Sequence, residues 1–121
     1  MKIIIVGAGE VGFHIASHLA RENKNVVVID KDPAAIRRVS DNIDVQVVIG
    51  SGSSPVVLQE AGIKEAEILL AVTDSDDTNL GACLVSNLIS PATKKLCRIR
   101  YADFDDYHEA FREQAPHIDT I

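Results

Sequence analysis

The sequence predicts a doubly wound parallel α/β fold, one sheet between two layers of helices (three-layer α/β/α). Three observations predict it. Short apolar runs alternate along the chain with longer segments of helical period, the pattern of strand–helix–strand crossovers. The first four apolar runs are nearly continuous in Ile, Val and Leu, as parallel strands covered on both faces require. Prolines and a glycine stand at the joints: Pro33 and Pro55 suit first helical positions, and Gly62 follows Ala61 as a helix C-cap does.

Taken in order, residues 2–6, 25–29, 45–49, 67–72 and 95–100 read as strands. Residues 10–22, 33–41, 55–61, 76–89 and 103–114 read as helices. In the first helix Val11, Ile15 and Leu19 fall a turn apart on one face, with Ala16 beside them. Asp74 or Ser75 can cap the fourth helix, where Asp76 and Asp77 suit the positive end of the dipole. Its core face reads as Leu80, Cys83, Leu84 and Leu88, and Pro91 ends it. Residues 117–121 read as the start of a further strand, with the chain cut short there.

At 121 residues the chain reads as one domain, 1–121, long enough to bury a real core. It is 46% hydrophobic and 25% charged, ordinary values that exclude a disordered chain. The net charge of −6 argues against nucleic acid as a partner. Cys83 and Cys97 are too few and too widely spaced for a disulfide framework or a zinc knuckle, and with no secretion signal they point to a reducing cytoplasm. The run Ile3–Val6 is far shorter than a membrane span, so direct membrane insertion is not expected.

The chemistry concentrates in Gly7-Ala8-Gly9-Glu10-Val11-Gly12. This glycine pattern follows a hydrophobic strand and opens an amphipathic helix, the context in which it binds a dinucleotide in a Rossmann-type fold. Gly7 permits the turn, Gly9 admits the pyrophosphate to the backbone, and Gly12 allows the helix to pack closely on the strand. Free N–H groups and the helix dipole then favour phosphate. Asp30 ends the second strand, 21 positions after Gly9, where a carboxylate accepts the adenosine ribose hydroxyls and repels a 2′-phosphate. NAD is thereby favoured over NADP, although Lys31, Arg37 and Arg38 lie close enough in sequence to soften the preference.

Two further loops belong at the same sheet edge. Gly50-Ser51-Gly52-Ser53 either flanks the adenine or is a plain flexible turn; it lacks the Lys-Ser/Thr ending of a P-loop. Thr73-Asp74 either faces the nicotinamide ribose or caps a helix. Arg98 and Arg100 share one face of the fifth strand, where a phosphate, a subunit-interface carboxylate or edge exposure would each satisfy them.

Catalytic groups are not evident. No Tyr-x-x-x-Lys relay and no Gly-x-Ser-x-Gly elbow occurs. His14 and His18 have helical i, i+4 spacing but neither a third ligand nor an intervening Glu, so they read as paired surface histidines. Cys83 reads as inert core and Cys97 has no activating neighbour in sequence. No length is left for a substrate domain, and the expectation is a non-enzyme.

The run 1–12 resembles the opening of the TrkA-type regulators of potassium uptake. So do Val28-Ile29-Asp30, Gly50-Ser51-Gly52-Ser53-Ser54-Pro55, Leu58-Gln59-Glu60-Ala61-Gly62, residues 71–79 and Arg98-Ile99-Arg100, so the likeness spans nearly the whole chain. It implies an RCK (KTN) N-terminal domain, an excerpt of a longer chain: a cytoplasmic NAD- or NADH-binding subunit, peripheral to the membrane through its partner. The implied partners are a Trk-type potassium-translocating membrane subunit and further copies of itself, as a dimer or higher ring. By the same resemblance Gly7, Ala8, Gly9, Glu10, Val11, Asp30, Thr73, Asp74 and Arg98 contact the nucleotide. Glu10 stands where many relatives carry Gln, Ser51 where they carry His or Asp, Cys97 for a common Ala and Asp77 for a common Glu; none removes a phosphate-binding feature. Two alternatives accompany this reading: the nucleotide-binding half of an NAD-dependent oxidoreductase, and a domain of the same kind that senses ATP or ADP.

Overall fold

A computed structural model describes residues 1–121. The strands are β1 (Lys2–Val6), β2 (Asn25–Asp30), β3 (Gln46–Ile49), β4 (Ile68–Ala71), β5 (Lys94–Cys97) and β6 (Ile118–Thr120). Between them run α1 (Glu10–Arg21), α2 (Pro33–Asn42), α3 (Pro55–Glu60), α4 (Asp76–Ile89) and α5 (His108–Gln114). All strands are parallel, in the order β3-β2-β1-β4-β5-β6. The chain winds outward from β1 to β3, then returns to lay β4 on the other side of β1. That reversal opens a crevice above the carboxyl ends of β1 and β4, the place where such sheets bind ligands.

Alternation along the central strands divides the core. Ile4, Val6, Val27, Ile29, Leu69 and Ala71 face one way, packing with Leu58 of α3 and Ala82 and Cys83 of α4. Ile3, Ile5, Val26 and Val28 face the other way, against Ala16 of α1 and Ile36 and Val39 of α2. Burying each of the Ile, Val and Leu side chains contributes about 1.5–3 kcal/mol, which is why the two helical layers hold the sheet from both sides.

The expected elements are present, with three differences. The fifth strand ends at Cys97 rather than residue 100, because the Asp76 carboxylate captures the N–H groups of Arg100 and Tyr101 and turns the chain away. Residues 102–107 form a 3-10 turn before α5, so the last helix is half the expected length. The fourth helix keeps Leu80 and Cys83 on the core as expected but turns the other two expected core residues outward. Leu84 and Leu88 are 58% and 74% exposed, whereas Asp76, Asn79, Ala82, Cys83 and Ser86 point inward. Apolar periodicity misreads α4 because its inward face is partly polar, and two of its polar residues, Asp76 and Asn79, hold other segments.

Lys95 is buried at the far end of α4, where its ammonium donates to Asn87 Oδ1 at 2.9 Å and to the Pro91 carbonyl at 3.0 Å. Burial pushes its pKa below the ordinary lysine value. Cys83 and Cys97 are both buried between α4 and β5. A hydrogen bond to Cys97, reinforced by burial, pushes the Cys83 thiol up.

Candidate functional site

The crevice is a cleft of about 550 Å³, a size suited to a small-molecule ligand. Each of its walls follows from a local turn. Where β1 becomes α1, Gly7 has φ +121°, and its N–H donates to the Ile29 carbonyl at 2.8 Å. A Cβ on Gly12 would sit 1.8 Å from the Gly7 carbonyl oxygen, so Gly12 is fixed by helix-to-turn contact. Gly9 differs. A Cβ there would meet nothing within 4 Å, although the residue lines the cleft. Packing gives no reason for glycine at this position. Gly9 is also the N-cap of α1 and offers no side-chain cap, which leaves the first N–H groups of the helix for an anion in the cleft.

Asp30 stands across this loop at the end of β2. Its Oδ2 accepts the Ala8 N–H at 2.7 Å and its Oδ1 accepts the Asp32 N–H at 2.9 Å. The carboxylate thus ties the glycine loop to the next turn, and each oxygen keeps a lone pair for a hydroxyl. Lys31 lines the cleft, but Arg37 and Arg38 do not, which removes two of the three cations that could have favoured a 2′-phosphate.

The Gly50–Ser53 loop is built, not slack. A Cβ on Gly52 would lie 2.2 Å from Val6 Cγ1, and one on Gly50 would lie 2.6 Å from Val57 Cγ2. Gly50, Ser51 and Gly52 line the wall beside Asp30, and Ser54 caps α3 by accepting from the Val57 N–H at 3.4 Å.

On the opposite wall Asn79, fully buried, joins two strand ends. Its Oδ1 accepts the Thr73 N–H at 2.9 Å and the Thr73 hydroxyl at 2.7 Å, and its Nδ2 donates to the Thr73 and Arg98 carbonyls at 3.1 and 2.9 Å. Asp76, 2% exposed, accepts the N–H groups of Arg100 at 3.0 Å and Tyr101 at 2.8 Å. The cap of α4 is Ser75, accepting from Thr78 N–H at 3.1 Å, which leaves the Asp74 side chain free of that duty. Asp74 is instead approached by Arg100, whose Nη2 donates to the Asp74 carbonyl at 2.8 Å. Arg98 lines the cleft and makes no ion pair, while Arg100 lies outside it.

The expected site residues therefore converge, with one exception. Gly7, Gly9, Glu10, Val11, Asp30, Thr73, Asp74 and Arg98 all line the cleft. Ala8 does not: its side chain is buried in the α1–α2 layer and its N–H is taken by Asp30. The expectation that Arg98 and Arg100 share a strand face is corrected as well, since both lie beyond β5 and face different surroundings. From sequence, Asp76 reads only as a helix-dipole acid and Asn79 carries no role, so the contacts of both escape it. Their signal was two polar residues at i, i+3 on the side of a helix that faces a sheet. His14 and His18 pair with Glu10 and Glu22 on the exposed surface of α1, each at 3.4 Å.

The TrkA-N domain family model matches residues 3–118. The Trk system potassium uptake protein TrkA of Halomonas elongata is 39% identical over 121 residues; the match covers all of this chain and 26% of that protein. Among solved structures, the Kef C-terminal domain of Shewanella denitrificans in AMP-bound form has a TM-score of 0.76 at 21% identity, over 100% of this chain and 72% of that one. The GsuK channel bound to NAD has a TM-score of 0.79 at 19% identity, over 98% of this chain and 21% of that one. The structural likenesses speak to the fold; the family match and the TrkA relative speak to descent. The chain spans about a quarter of that relative's length, and on these grounds it belongs to the TrkA-N domain family.

Proposed function

We propose that this domain binds NAD or NADH and, as a regulatory part of a Trk-type potassium uptake system, passes the occupancy of its cleft to a membrane potassium-translocating partner. The observation that carries the reading is Gly9, a glycine that only a ligand requires, at the uncapped start of α1. Gly7, Gly9 and Val11 would hold the pyrophosphate, Asp30 the adenosine ribose, Thr73 and Asp74 the second ribose, and Arg98 would supply positive charge. The nucleotide would act as a signal rather than as a reactant, since a ligand that binds two arrangements of an assembly unequally shifts their balance. The names of the relatives, potassium uptake proteins and a channel bound to NAD, support this use of the fold. By the same reading the conducting path belongs to the partner, which this domain would meet from the cytoplasmic side as part of a homo-oligomer; no helix is long and apolar enough to cross a membrane.

The test is calorimetric titration of the full-length protein with NAD, NADH, NADP, ATP and ADP, for the native chain and Asp30→Ala. The substitution should weaken NAD by about 1–3 kcal/mol through loss of hydrogen bonds to a charged acceptor. Because Asp30 also anchors Ala8 and Asp32, melting temperatures are compared in parallel. Equal NAD affinity in the two proteins, or tighter binding of NADP by the native one, defeats the assignment of Asp30.

A further inference from the structure

At the rim where α1 meets α2, a charge cluster stands outside the contacts assigned above. The Glu10 carboxylate holds Arg38 Nη2 at 3.2 Å through Oε1 and His14 Nε2 at 3.4 Å through Oε2. The Arg38 guanidinium lies 3.9 Å over the Phe13 ring centroid, a cation–π contact that fixes its direction. Glu10 is 74% exposed and Arg38 44%, so the pair adds little to stability. Its place matters more. Glu10 is the first residue of α1 and lines the cleft, while Arg38 does not. A carboxylate therefore stands beside the helix start that would receive phosphate, and the nearest α2 arginine is turned onto it.

We propose that Glu10 limits the number of phosphates this cleft accepts. Resting on the nucleotide reading above, the inference is that the Glu10 carboxylate acts as a built-in anion. It repels a phosphate beyond the two of the pyrophosphate, and it occupies the arginine that would otherwise reach such a group. The favoured ligand class is an adenine nucleotide with two linked phosphates, as in a dinucleotide or a diphosphate. A third phosphate is disfavoured whether it extends the chain or sits on the ribose 2′-oxygen. Two like charges roughly 10 Å apart near a protein surface repel enough to change affinity by about tenfold.

The experiment measures the affinities of ADP, ATP, NAD and NADP for the full-length native protein, Glu10→Gln, Arg38→Ala and the double variant. The quantities read are the ATP-to-ADP and NADP-to-NAD affinity ratios, which a uniform loss of binding does not move. Glu10→Gln should raise one or both ratios about tenfold, by removing the repulsion and freeing Arg38. A rise confined to ATP places the third phosphate at the chain end; a rise confined to NADP places it on the ribose. Adding Arg38→Ala to Glu10→Gln should take back most of the gain. Arg38→Ala alone should lower the ratios, because it leaves Glu10 without its counter-ion; this reading is independent of how Glu10→Gln folds. Ratios within about twofold of native in every variant overturn the inference while leaving the dinucleotide reading intact. Failure of the native protein to bind any of the four overturns both.

Discussion

Gly9 and Gly12 are three residues apart in one motif, yet they should respond to alanine in opposite ways. At Gly12 the added methyl would lie 1.8 Å from the Gly7 carbonyl oxygen and 2.7 Å from its carbon, both backbone atoms with no rotamer to give. Relieving that contact means lifting α1 from β1. The expected cost is about 3 kcal/mol, at the upper end of overpacking. In a domain of this size it lowers the melting temperature by roughly 10 °C. At Gly9 the methyl meets nothing, and the residue's φ of −74° suits alanine, so stability should change by no more than about 1 kcal/mol, the difference between Gly and Ala at an N-cap. The same methyl projects into the ligand space. Pushing a pyrophosphate off the α1 N–H groups loses about two charge-assisted hydrogen bonds, about 3–6 kcal/mol, or roughly a hundredfold and upward in affinity. Thermal melts paired with NAD titration check both halves. Unaltered NAD affinity in Gly9→Ala would refute the argument that ligand space explains this glycine. A Gly12→Ala protein that melts like the native one would refute the packing argument.

Two further substitutions probe the supports. Asp76→Ala leaves the N–H groups of Arg100 and Tyr101 without their acceptor, so it should cost about 2–4 kcal/mol in chemical denaturation; retention of native stability contradicts the latch described for this residue. Lys95→Met tests a pH dependence. Burial lowers the folded-state pKa of Lys95 below 10.5, so between that lowered value and 10.5 the unfolded chain holds more protons and native stability rises with pH. The methionine variant should lack this rise, and denaturation curves taken across the alkaline range that stay parallel for the two proteins would count against it.

How far the residues announce the structure depends on what kind of group does the holding. Strands β1 and β2, with their unbroken Ile and Val, and the glycine turn between β1 and α1 are legible because their determinants are local: apolar continuity, positive φ and spacing. The partners of the cleft are legible for the same reason, since every βα turn of a parallel sheet opens on one edge. Helix α4 is not. Its inward face carries Asp76 and Asn79, which an apolar periodicity assigns to solvent, and the partners they hold beyond β5 lie 19 to 25 residues away in sequence. The same contact ends β5 early, a boundary that Arg98-Ile99-Arg100, with its alternating charge, does not disclose. Ala8 belongs to the motif, and what the motif does not disclose is that its backbone N–H serves Asp30 and its methyl the core.

The Asn79 amide has a consequence for how the domain would convey occupancy. Three of its four hydrogen bonds close on Thr73 and the fourth on Arg98, so the β4 and β5 sides of the cleft are braced before any ligand arrives. Asp30 braces the other side. A nucleotide entering such a preorganised site spends little of its binding free energy on ordering loops. Under the function proposed above, the domain would act as a stiff lever: its free and bound forms should superimpose closely, and any displacement passed to a partner would arise where this unit meets its neighbours, not inside it.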